Sequence, residues 1–284
     1  MADSHAAEFP AHPTRSWSAV QILNSRYRIV RLLGEGASGK VYLARDTLDR
    51  GRVWALKGVP AEEGPEAQAL LVRELQVLQG LRHPALPQVQ DAFVEAGTTW
   101  LVMERVQGPT LENIQTEAGG RLPEGEVLQY GVQLCEVLAY LHERQVLHRD
   151  LKPGNCMIGR NGRLRLVDFG IARHMNPSRP RDTHIYGTPG FCPPEQYRGQ
   201  TSPASDVYAL AATLYVLLTG ADPETFKFQF PDVRTLQPSI SALTAELLAQ
   251  ATRPQPGERP SLPDMHLGLQ PRPGFWHRLW NMKR

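Results

Sequence analysis

The stretch of sequence that decides the fold reads His148-Arg149-Asp150-Leu151-Lys152-Pro153-Gly154-Asn155, and Asp168-Phe169-Gly170 follows it. Together the two segments supply a carboxylate that can act as a base, a lysine, and oxygen ligands for a metal ion. Moving a phosphoryl group requires an aimed nucleophile, held metal ions and neutralised charge, and little covalent chemistry from the protein. The two segments in this order therefore indicate a phosphoryl-transfer centre, which a lone Asp-Phe-Gly would not.

Four side chains of these segments would divide that chemistry. Asp150 is the candidate base that accepts a hydroxyl proton, and Lys152 is the candidate cation that neutralises the moving group. Asn155 and Asp168 carry the amide and carboxylate oxygens that Mg²⁺ prefers. We therefore predict Asp150, Lys152 and Asn155 as catalytic residues, and Asn155 and Asp168 as ligands of Mg²⁺, with Mn²⁺ as an alternative.

With these motifs the chain resembles the eukaryotic-like (Hanks-type) serine/threonine protein kinases over residues 27–266, in the bacterial style of Gly187-Thr188-Pro189-Gly190-Phe191. The resemblance implies an α+β, bilobal protein kinase fold, with a small β-rich N-lobe containing one main helix and a larger, mainly α-helical C-lobe. The implied segments are a flexible N-terminal arm (1–26), the N-lobe (27–105), the C-lobe (106–266) and a basic-aromatic C-terminal tail (267–284).

The composition is that of an ordinary globular protein. The chain has 284 residues, of which 41% are hydrophobic, and a net charge of +2, which argues against a nucleic-acid-binding protein. Its three cysteines lack metal-ligand spacing and are typical of free thiols in a reducing compartment. No apolar run approaches the roughly 18 residues of a membrane span. Residues 1–13 lack the hydrophobic centre of a secretory signal, so we expect a cytoplasmic protein.

Hydrophobic periodicity agrees with the implied order of elements. Alternation predicts strands, and recurrence at three and four residues predicts helices. The predicted strands are residues 27–33, 40–44, 53–57, 87–94 and 99–104. The predicted helices are residues 66–80, 127–143 and the nearly continuous apolar stretch 207–218, which is too short for a membrane span and is typical of a buried helix.

The glycine-rich segment 34–39 lies between two predicted strands, which excludes a Rossmann fingerprint, because those glycines open a helix. The resemblance implies that Lys57 binds the phosphates of ATP and pairs with Glu74, with Glu66 as the weaker candidate for that partner. The predicted ATP-binding residues are Leu33, Gly34, Glu35, Gly36, Ala37, Ser38, Gly39, Val41, Ala55, Lys57, Glu74, Met103, Glu104, Val106, Met157 and Asp168.

The activation segment implied by the resemblance runs from Asp168 to Glu195. Its preferred phosphoacceptor is Thr183, with Ser178 second, and an arginine at position 149 would bind the phosphate. The alternative is a segment that becomes ordered without phosphate. Thr188 would instead form a hydrogen bond with the catalytic loop.

Two further contacts implied by the resemblance concern the architecture. Glu195, in Pro193-Pro194-Glu195, would form a buried ion pair with Arg259. Asp206 would hold the backbone of the turn formed by His148, Arg149 and Asp150.

The resemblance implies an enzyme that transfers the γ-phosphate of ATP to Ser/Thr hydroxyls of protein substrates, phosphorylates its own activation segment and acts in signalling. Lys152 favours serine and threonine over tyrosine. Thr110 and Gly154 stand where arginine-selective kinases carry acids, so we predict no strong preference for arginine upstream of the target. One rival is a pseudokinase scaffold, which needs none of these motifs. Another is a small-molecule kinase, which generally lacks the segment 187–195.

The tail beyond Gln270 lies outside the resemblance. Its aromatic residues would share one helical face, and it carries four positive charges and no acid: Arg272, Arg278, Lys283 and Arg284. Such a helix suits a membrane surface. Packing of residues 271–284 onto the C-lobe is the favoured interpretation, because two exposed tryptophans are disfavoured. The sequence leaves the oligomeric state open.

Overall fold

The computed structural model of the chain describes residues 21–36, 39–49, 51–175 and 186–270. Its N-terminal part combines an antiparallel sheet with one long helix. The elements of this part are β1 (Ile22–Leu23), β2 (Tyr27–Gly36), β3 (Gly39–Asp46), β4 (Val53–Pro60), α1 (Gly64–Gln79), β5 (Val89–Glu95) and β6 (Thr98–Glu104).

The six strands pair in the order β1-β2-β3-β4-β6-β5. Successive side chains of a strand point to opposite faces, so Trp54 and Leu56 of β4 pack in one apolar cluster, and Ala55 packs in another with Leu71 of α1. Lys57 follows Ala55 by two residues and lies on the same face. The alternation in β4 therefore directs this lysine toward α1.

Strand β1 lies within residues 1–26, the segment predicted as the N-terminal arm. Leu23 pairs with Tyr27 in a tight turn, and its side chain is buried. Burial of Leu23 and Tyr27 in the same apolar cluster holds residues 22–26 on the sheet. A strand of two residues is too short to produce a periodic pattern, which explains why the sequence did not predict it. The first 20 residues of the predicted arm lie outside the described ranges.

The C-terminal part is mainly helical. Its helices are α2 (Leu111–Glu117), α3 (Glu124–Glu143), α4 (Pro203–Thr219), α5 (Val233–Leu236), α6 (Ala242–Ala251) and α7 (Leu262–Leu269). Its short strands are β7 (Val146–Leu147), β8 (Cys156–Ile158), β9 (Leu164–Leu166) and β10 (Arg173–His174). Strands β8 and β9 form one small sheet, and β7 and β10 form another.

The core of this part is built around α3 and α4. The stretch 207–218, predicted as a buried helix, lies within α4 and is buried at every position. Among the described residues, no helix has the length and apolar character needed to cross a membrane. Helix α7 continues three residues past the predicted C-lobe boundary at 266, because Leu269 packs in the core against Gly131 of α3.

The two parts meet at a linker, residues 105–110, between β6 and α2. Gly108 has φ +151° there, and a Cβ at this position would overlap the carbonyl oxygen of Ile158 in β8. Only glycine lets the linker approach β8 this closely. The α+β, two-lobed architecture is confirmed, with a cleft between an N-lobe and a C-lobe.

Candidate active site

A cavity of about 520 Å³ lies between the two lobes. Its walls come from β2, β3, β4, α1, the linker, β8 and the segment after β9. The predicted ATP-binding residues that line it are Leu33, Gly34, Glu35, Gly36, Gly39, Val41, Ala55, Lys57, Glu74, Met103, Glu104, Val106, Met157 and Asp168. The structure thus brings together every predicted member of this set that it describes.

The glycines of the loop between β2 and β3 differ in what surrounds them. A Cβ on Gly39 would lie 2.7 Å from the carbonyl oxygen of Gly58, so packing within the sheet requires glycine there. A Cβ on Gly34 or Gly36 would meet no atom within 4 Å. Open space therefore lies beside these two glycines in the cavity wall. A glycine-rich loop with such space can bring peptide N–H groups close to phosphate oxygens. The cavity therefore fits a nucleotide whose phosphates lie under this loop.

Lys57 forms a buried ion pair with Glu74 of α1, with 2.6 Å between Nζ and Oε2. Its ammonium also lies 3.0 Å from Oδ1 of Asp168. Burial alone would lower the pKa of Lys57, but these two carboxylates outweigh it and hold that pKa above its usual value. Glu74 also accepts a hydrogen bond from the Phe169 N–H at 3.2 Å. The predicted pairing of Lys57 with Glu74 is present, and the alternative partner Glu66 bonds elsewhere.

The candidate base Asp150 lies at the centre of a second cluster. Its carboxylate accepts hydrogen bonds from the Thr188 hydroxyl at 2.6 Å and the Asn155 amide at 2.9 Å. Lys152 Nζ lies 3.2 Å from Asp150 Oδ2 and donates to Thr188 Oγ1 at 2.7 Å. Thr188 thus contacts the catalytic loop, as the sequence predicted. These side chains do not line the cavity, but their neighbour Gly154 does.

The turn that carries Asp150 is held from below by Asp206 of α4. The Asp206 carboxylate accepts hydrogen bonds from the backbone N–H groups of His148 at 3.1 Å and Arg149 at 2.8 Å. Burial would raise the pKa of Asp206, but the hydrogen bond with His142 and the charges around it hold that pKa below its usual value. The predicted role of Asp206 is therefore present in the structure.

His148 itself is fully buried, and its ring packs edge-on against Phe169 with 4.9 Å between centroids. Burial lowers the pKa of His148, which keeps the imidazole neutral near pH 7. A neutral ring in this position links the turn of the catalytic loop to the Asp-Phe-Gly segment.

The predicted ion pair between Glu195 and Arg259 is also present. The guanidinium meets the carboxylate through two hydrogen bonds of 2.6 and 2.9 Å, and the Arg259 side chain is 0% exposed. Ser205 of α4 donates a further hydrogen bond to Glu195. This contact ties the end of the activation segment to the body of the C-lobe.

Asn155 and Asp168 offer oxygen donors of the kind that Mg²⁺ and Mn²⁺ bind. The Asn155 amide nitrogen is bonded to Asp150, so the amide oxygen is the atom it can present to a cation. Asp168 lines the cavity, and its side chain is 31% exposed. The part of the chain that the structure describes holds no cluster of three or more His, Cys, Asp or Glu suited to a metal. Two protein ligands fit Mg²⁺, which usually takes its other oxygens from phosphates and water.

Two polar residues near the site were missed by the sequence analysis. The carboxylate of Glu112 in α2 lies 3.2 Å from the place that a Cβ on Gly154 would occupy, which puts an acid beside the catalytic loop. Arg165 of β9 forms an ion pair of 2.6 Å with Glu104 and donates to the carbonyl oxygen of Leu86. Both contacts join residues distant in sequence, and no local pattern predicts them.

Some predicted residues fall outside the described ranges. They are Ala37 and Ser38 of the glycine loop, the phosphoacceptor candidates Ser178 and Thr183, and the tail residues 271–284. Their predicted roles stay predictions.

The cleft, the lysine–glutamate ion pair and the supported catalytic loop define a class of protein, and comparison with known proteins agrees. Residues 27–266 match the protein kinase domain, so the chain belongs to the protein kinase family. The resemblance to bacterial Hanks-type serine/threonine kinases is confirmed by individual relatives.

The chain is 33% identical to serine/threonine-protein kinase C of Synechocystis sp. over 84% of its own length and 48% of that protein. It is 31% identical to PrkC of Bacillus subtilis over 84% of the chain and 39% of that protein. With PknB of Mycolicibacterium smegmatis the identity is 36%, over 72% of the chain and 34% of that protein. The chain thus spans about half or less of the length of these relatives.

Proposed function

We propose that this protein is an ATP-dependent serine/threonine protein kinase, which transfers the γ-phosphate of ATP to Ser/Thr hydroxyls of protein substrates. The observation that carries the proposal is the joint arrangement of two clusters. Lys57 and Glu74 are paired in the wall of the cavity. The cluster of Asp150, Lys152 and Thr188 lies next to the cavity. One cluster suits the nucleotide and the other suits the acceptor hydroxyl.

The cavity wall explains how ATP would be held. Val41 and Ala55 would cover one face of the adenine, and Met157 the other. Backbone groups of Glu104, at the end of β6, and of Val106, in the linker, would bind its polar edge. The phosphates would then lie under the glycine loop, where Lys57 supplies a buried positive charge. Its pairing with Glu74 keeps that ammonium in one position.

Asp150 would accept the proton of the Ser/Thr acceptor hydroxyl. At the same time the hydroxyl oxygen would form the new bond to the γ-phosphorus, and the bond from that phosphorus to the leaving ADP would break. Lys152, which already contacts Asp150 and Thr188, would neutralise the charge on the transferred group. Asn155 and Asp168 would hold Mg²⁺, whose charge shields the phosphate oxygens. The hydrogen bond from the Thr188 hydroxyl would hold the Asp150 carboxylate in the orientation that faces the acceptor hydroxyl.

Two rival functions fit these contacts less well. A pseudokinase scaffold has no use for a buried lysine between two carboxylates, because such an arrangement requires desolvation of the Lys57 and Glu74 charges. A small-molecule kinase has no use for a protein-substrate platform. Here Thr188 and Glu195, at the two ends of segment 187–195, are tied to the catalytic loop and the C-lobe core.

Phosphotransfer from labelled ATP to a mixture of proteins, followed by identification of the labelled amino acids, tests the proposal. We expect label on serine and threonine, and Asp150→Asn should lower the rate roughly 100- to 10,000-fold because the base is lost. Asp49→Asn, which changes an exposed aspartate of the N-lobe, is the matched control. Equal labelling by wild type and Asp150→Asn would favour the scaffold.

Glu112 bears on which sequences are accepted. The prediction of no strong arginine preference rested on Thr110 and Gly154, and Thr110 is the N-cap of α2. However, Glu112 restores a carboxylate beside Gly154. Peptide arrays with wild type and Glu112→Gln distinguish an enzyme with no strong arginine preference from one in which Glu112 selects arginine. Arginine-rich targets that dominate for wild type and weaken for Glu112→Gln would assign the selection to Glu112 and overturn the prediction.

Autophosphorylation of the activation segment, action in signalling and a cytoplasmic location belong to the same proposal. The cysteines Cys135, Cys156 and Cys192 are free and buried, which suits a reducing compartment. Phosphosite mapping of protein incubated with ATP tests the first point, with Thr183 expected before Ser178. Wild type incubated beside Asp150→Asn shows whether the label comes from the protein's own activity.

A further inference from the structure

Tyr186, near the end of the activation segment, contacts helix α1 of the opposite lobe. Its hydroxyl donates a hydrogen bond of 2.8 Å to Oε1 of Glu66. The guanidinium of Arg73, also on α1, lies 5.9 Å from the centroid of the Tyr186 ring. Residues seven apart share one face of a helix, so Glu66 and Arg73 hold the tyrosine from two points on the same face.

The same tyrosine is anchored to the catalytic loop through its backbone. Its carbonyl oxygen accepts a hydrogen bond of 2.7 Å from the Gln196 side chain. The same Gln196 nitrogen donates to the carbonyl oxygen of Arg149 at 2.8 Å. Two residues after Tyr186, Thr188 binds Asp150. Tyr186 therefore connects α1 to the loop that carries the candidate base, by a route separate from Asp168.

Helix α1 is the element that positions Glu74. Glu66 precedes Glu74 by about two helical turns, and Arg73 is its direct neighbour. A contact that fixes Glu66 and Arg73 relative to the catalytic loop therefore also fixes Glu74 relative to Lys57. The contact is made by a neutral hydroxyl and a carboxylate, and it needs no phosphate group.

We propose that Tyr186 is a positioning residue, which through Glu66 holds α1 in the orientation that pairs Glu74 with Lys57 before the activation segment is phosphorylated. This inference rests on the proposed kinase function. Burial and the hydrogen bond to Glu66 raise the pKa of Tyr186, so the hydroxyl keeps its proton and remains a donor near pH 7.

The test compares wild type, Tyr186→Phe, Glu66→Met and the double variant, each as the full chain after phosphatase treatment. Loss of one hydrogen bond to a charged group corresponds to roughly a 10- to 150-fold change in the equilibrium that it supports. We expect Tyr186→Phe to lower kcat by up to about this factor with little change in KM for the protein substrate. The double variant should be no worse than the worse single variant, because both remove one contact.

Backbone hydrogen exchange of α1 supplies a second readout that does not depend on phosphotransfer. We expect faster exchange in α1 of Tyr186→Phe and unchanged exchange in α4. If wild type proves inactive while α1 still loses protection, the proposed function fails and the contact stands. If wild type is active and Tyr186→Phe changes neither α1 exchange nor kcat, the positioning role is overturned.

The chain offers a matched control for this substitution. Tyr130 donates a hydrogen bond of 2.6 Å to Glu126 within α3, away from both clusters. Tyr130→Phe removes the same kind of contact from the C-lobe. It should leave kcat and α1 exchange unchanged, and an equal loss of kcat in Tyr130→Phe would mean that the Tyr186 effect is one of general stability.

Discussion

The catalytic loop and helix α1 each place a carboxylate beside the cleft, but the two are supported in different ways. The loop rests on Asp206, and the segment after it is tied down by the pair Glu195–Arg259, all buried and all within one lobe. Helix α1 is held to the C-lobe by Phe169 and Tyr186, which contact it across the cleft. Asp168 reaches α1 only indirectly, through Lys57 of β4. One support is part of a folded core, and the other depends on how two lobes meet.

The difference separates stability from activity. A buried contact inside a lobe can be lost only if that lobe is strained or unfolded, so its removal should lower the free energy of unfolding. A contact across the cleft can be lost by movement of one lobe, so its removal should lower the rate of phosphotransfer first. The predictions below test this division.

Arg259→Met should give the largest loss of stability. It leaves Glu195 buried without its cation and removes the donor to the carbonyl oxygens of Arg253, Ala204 and Pro254. Removing one partner of a buried ion pair lowers the free energy of unfolding by about 3–5 kcal/mol. Urea denaturation measures this loss in the free energy of unfolding. Arg253→Met, which breaks only an exposed pair with Glu258, should change the same quantity by less than about 1 kcal/mol. Similar losses of unfolding free energy in Arg259→Met and Arg253→Met would contradict the idea that the buried contacts inside the lobe determine stability.

Lys57→Met should lower the rate of phosphotransfer strongly and the free energy of unfolding only moderately. Loss of its positive charge should lower the phosphotransfer rate roughly 100- to 1,000-fold, the usual effect of removing one preorganised charge-stabilising group. The loss of stability should be smaller than for Arg259→Met, because burial raises the pKa of Glu74 and lets the unpaired carboxyl take up a proton. Lys227→Met, at an exposed lysine of the C-lobe, is the matched control for both measurements. If Lys57→Met lowers the free energy of unfolding as much as Arg259→Met does, the support of α1 would belong with the buried contacts inside one lobe and not with the contacts across the cleft.

The two regions also differ in how far the sequence predicted them. The catalytic loop and the Asp-Phe-Gly segment are contiguous motifs, so roles for their residues could be predicted from residue type, order and spacing together with the family resemblance. Glu74 could be chosen over Glu66 because apolar residues at helical spacing surround it. The other role of Glu66 could not be predicted, since its partner Tyr186 is 120 residues away.

Glu112 and β1 were missed for related reasons. Glu112 approaches Gly154 only because α2 packs beside the catalytic loop, and β1 is visible only as a buried Leu23 on a sheet. Periodicity reports which face of an element is apolar, and it does not report which elements meet. Contacts between elements that are distant in sequence therefore could not be predicted from it.

The smallest expected effect is a pH dependence that separates the two supports. Burial lowers the pKa of His148, so as pH falls below about 6.5 the unfolded chain takes up a proton that the folded chain does not. The stability contributed by neutral His148 is present above that pH and declines as pH falls toward the folded-state pKa. Lys57 has a raised pKa and stays charged throughout this window, so it adds no pH dependence of its own to the α1 support.

Urea denaturation between about pH 7.5 and 5.5 measures this contribution, since the usual histidine pKa lies within that range. Wild type should lose stability toward the acid end, and His148→Asn should lose less of it over the same range. His83→Asn is the matched control, because burial also lowers the pKa of His83, in the same direction but outside the catalytic loop. If His148→Asn keeps the full pH dependence and His83→Asn abolishes it, the acid sensitivity belongs to the N-lobe side, and the catalytic loop is not its source.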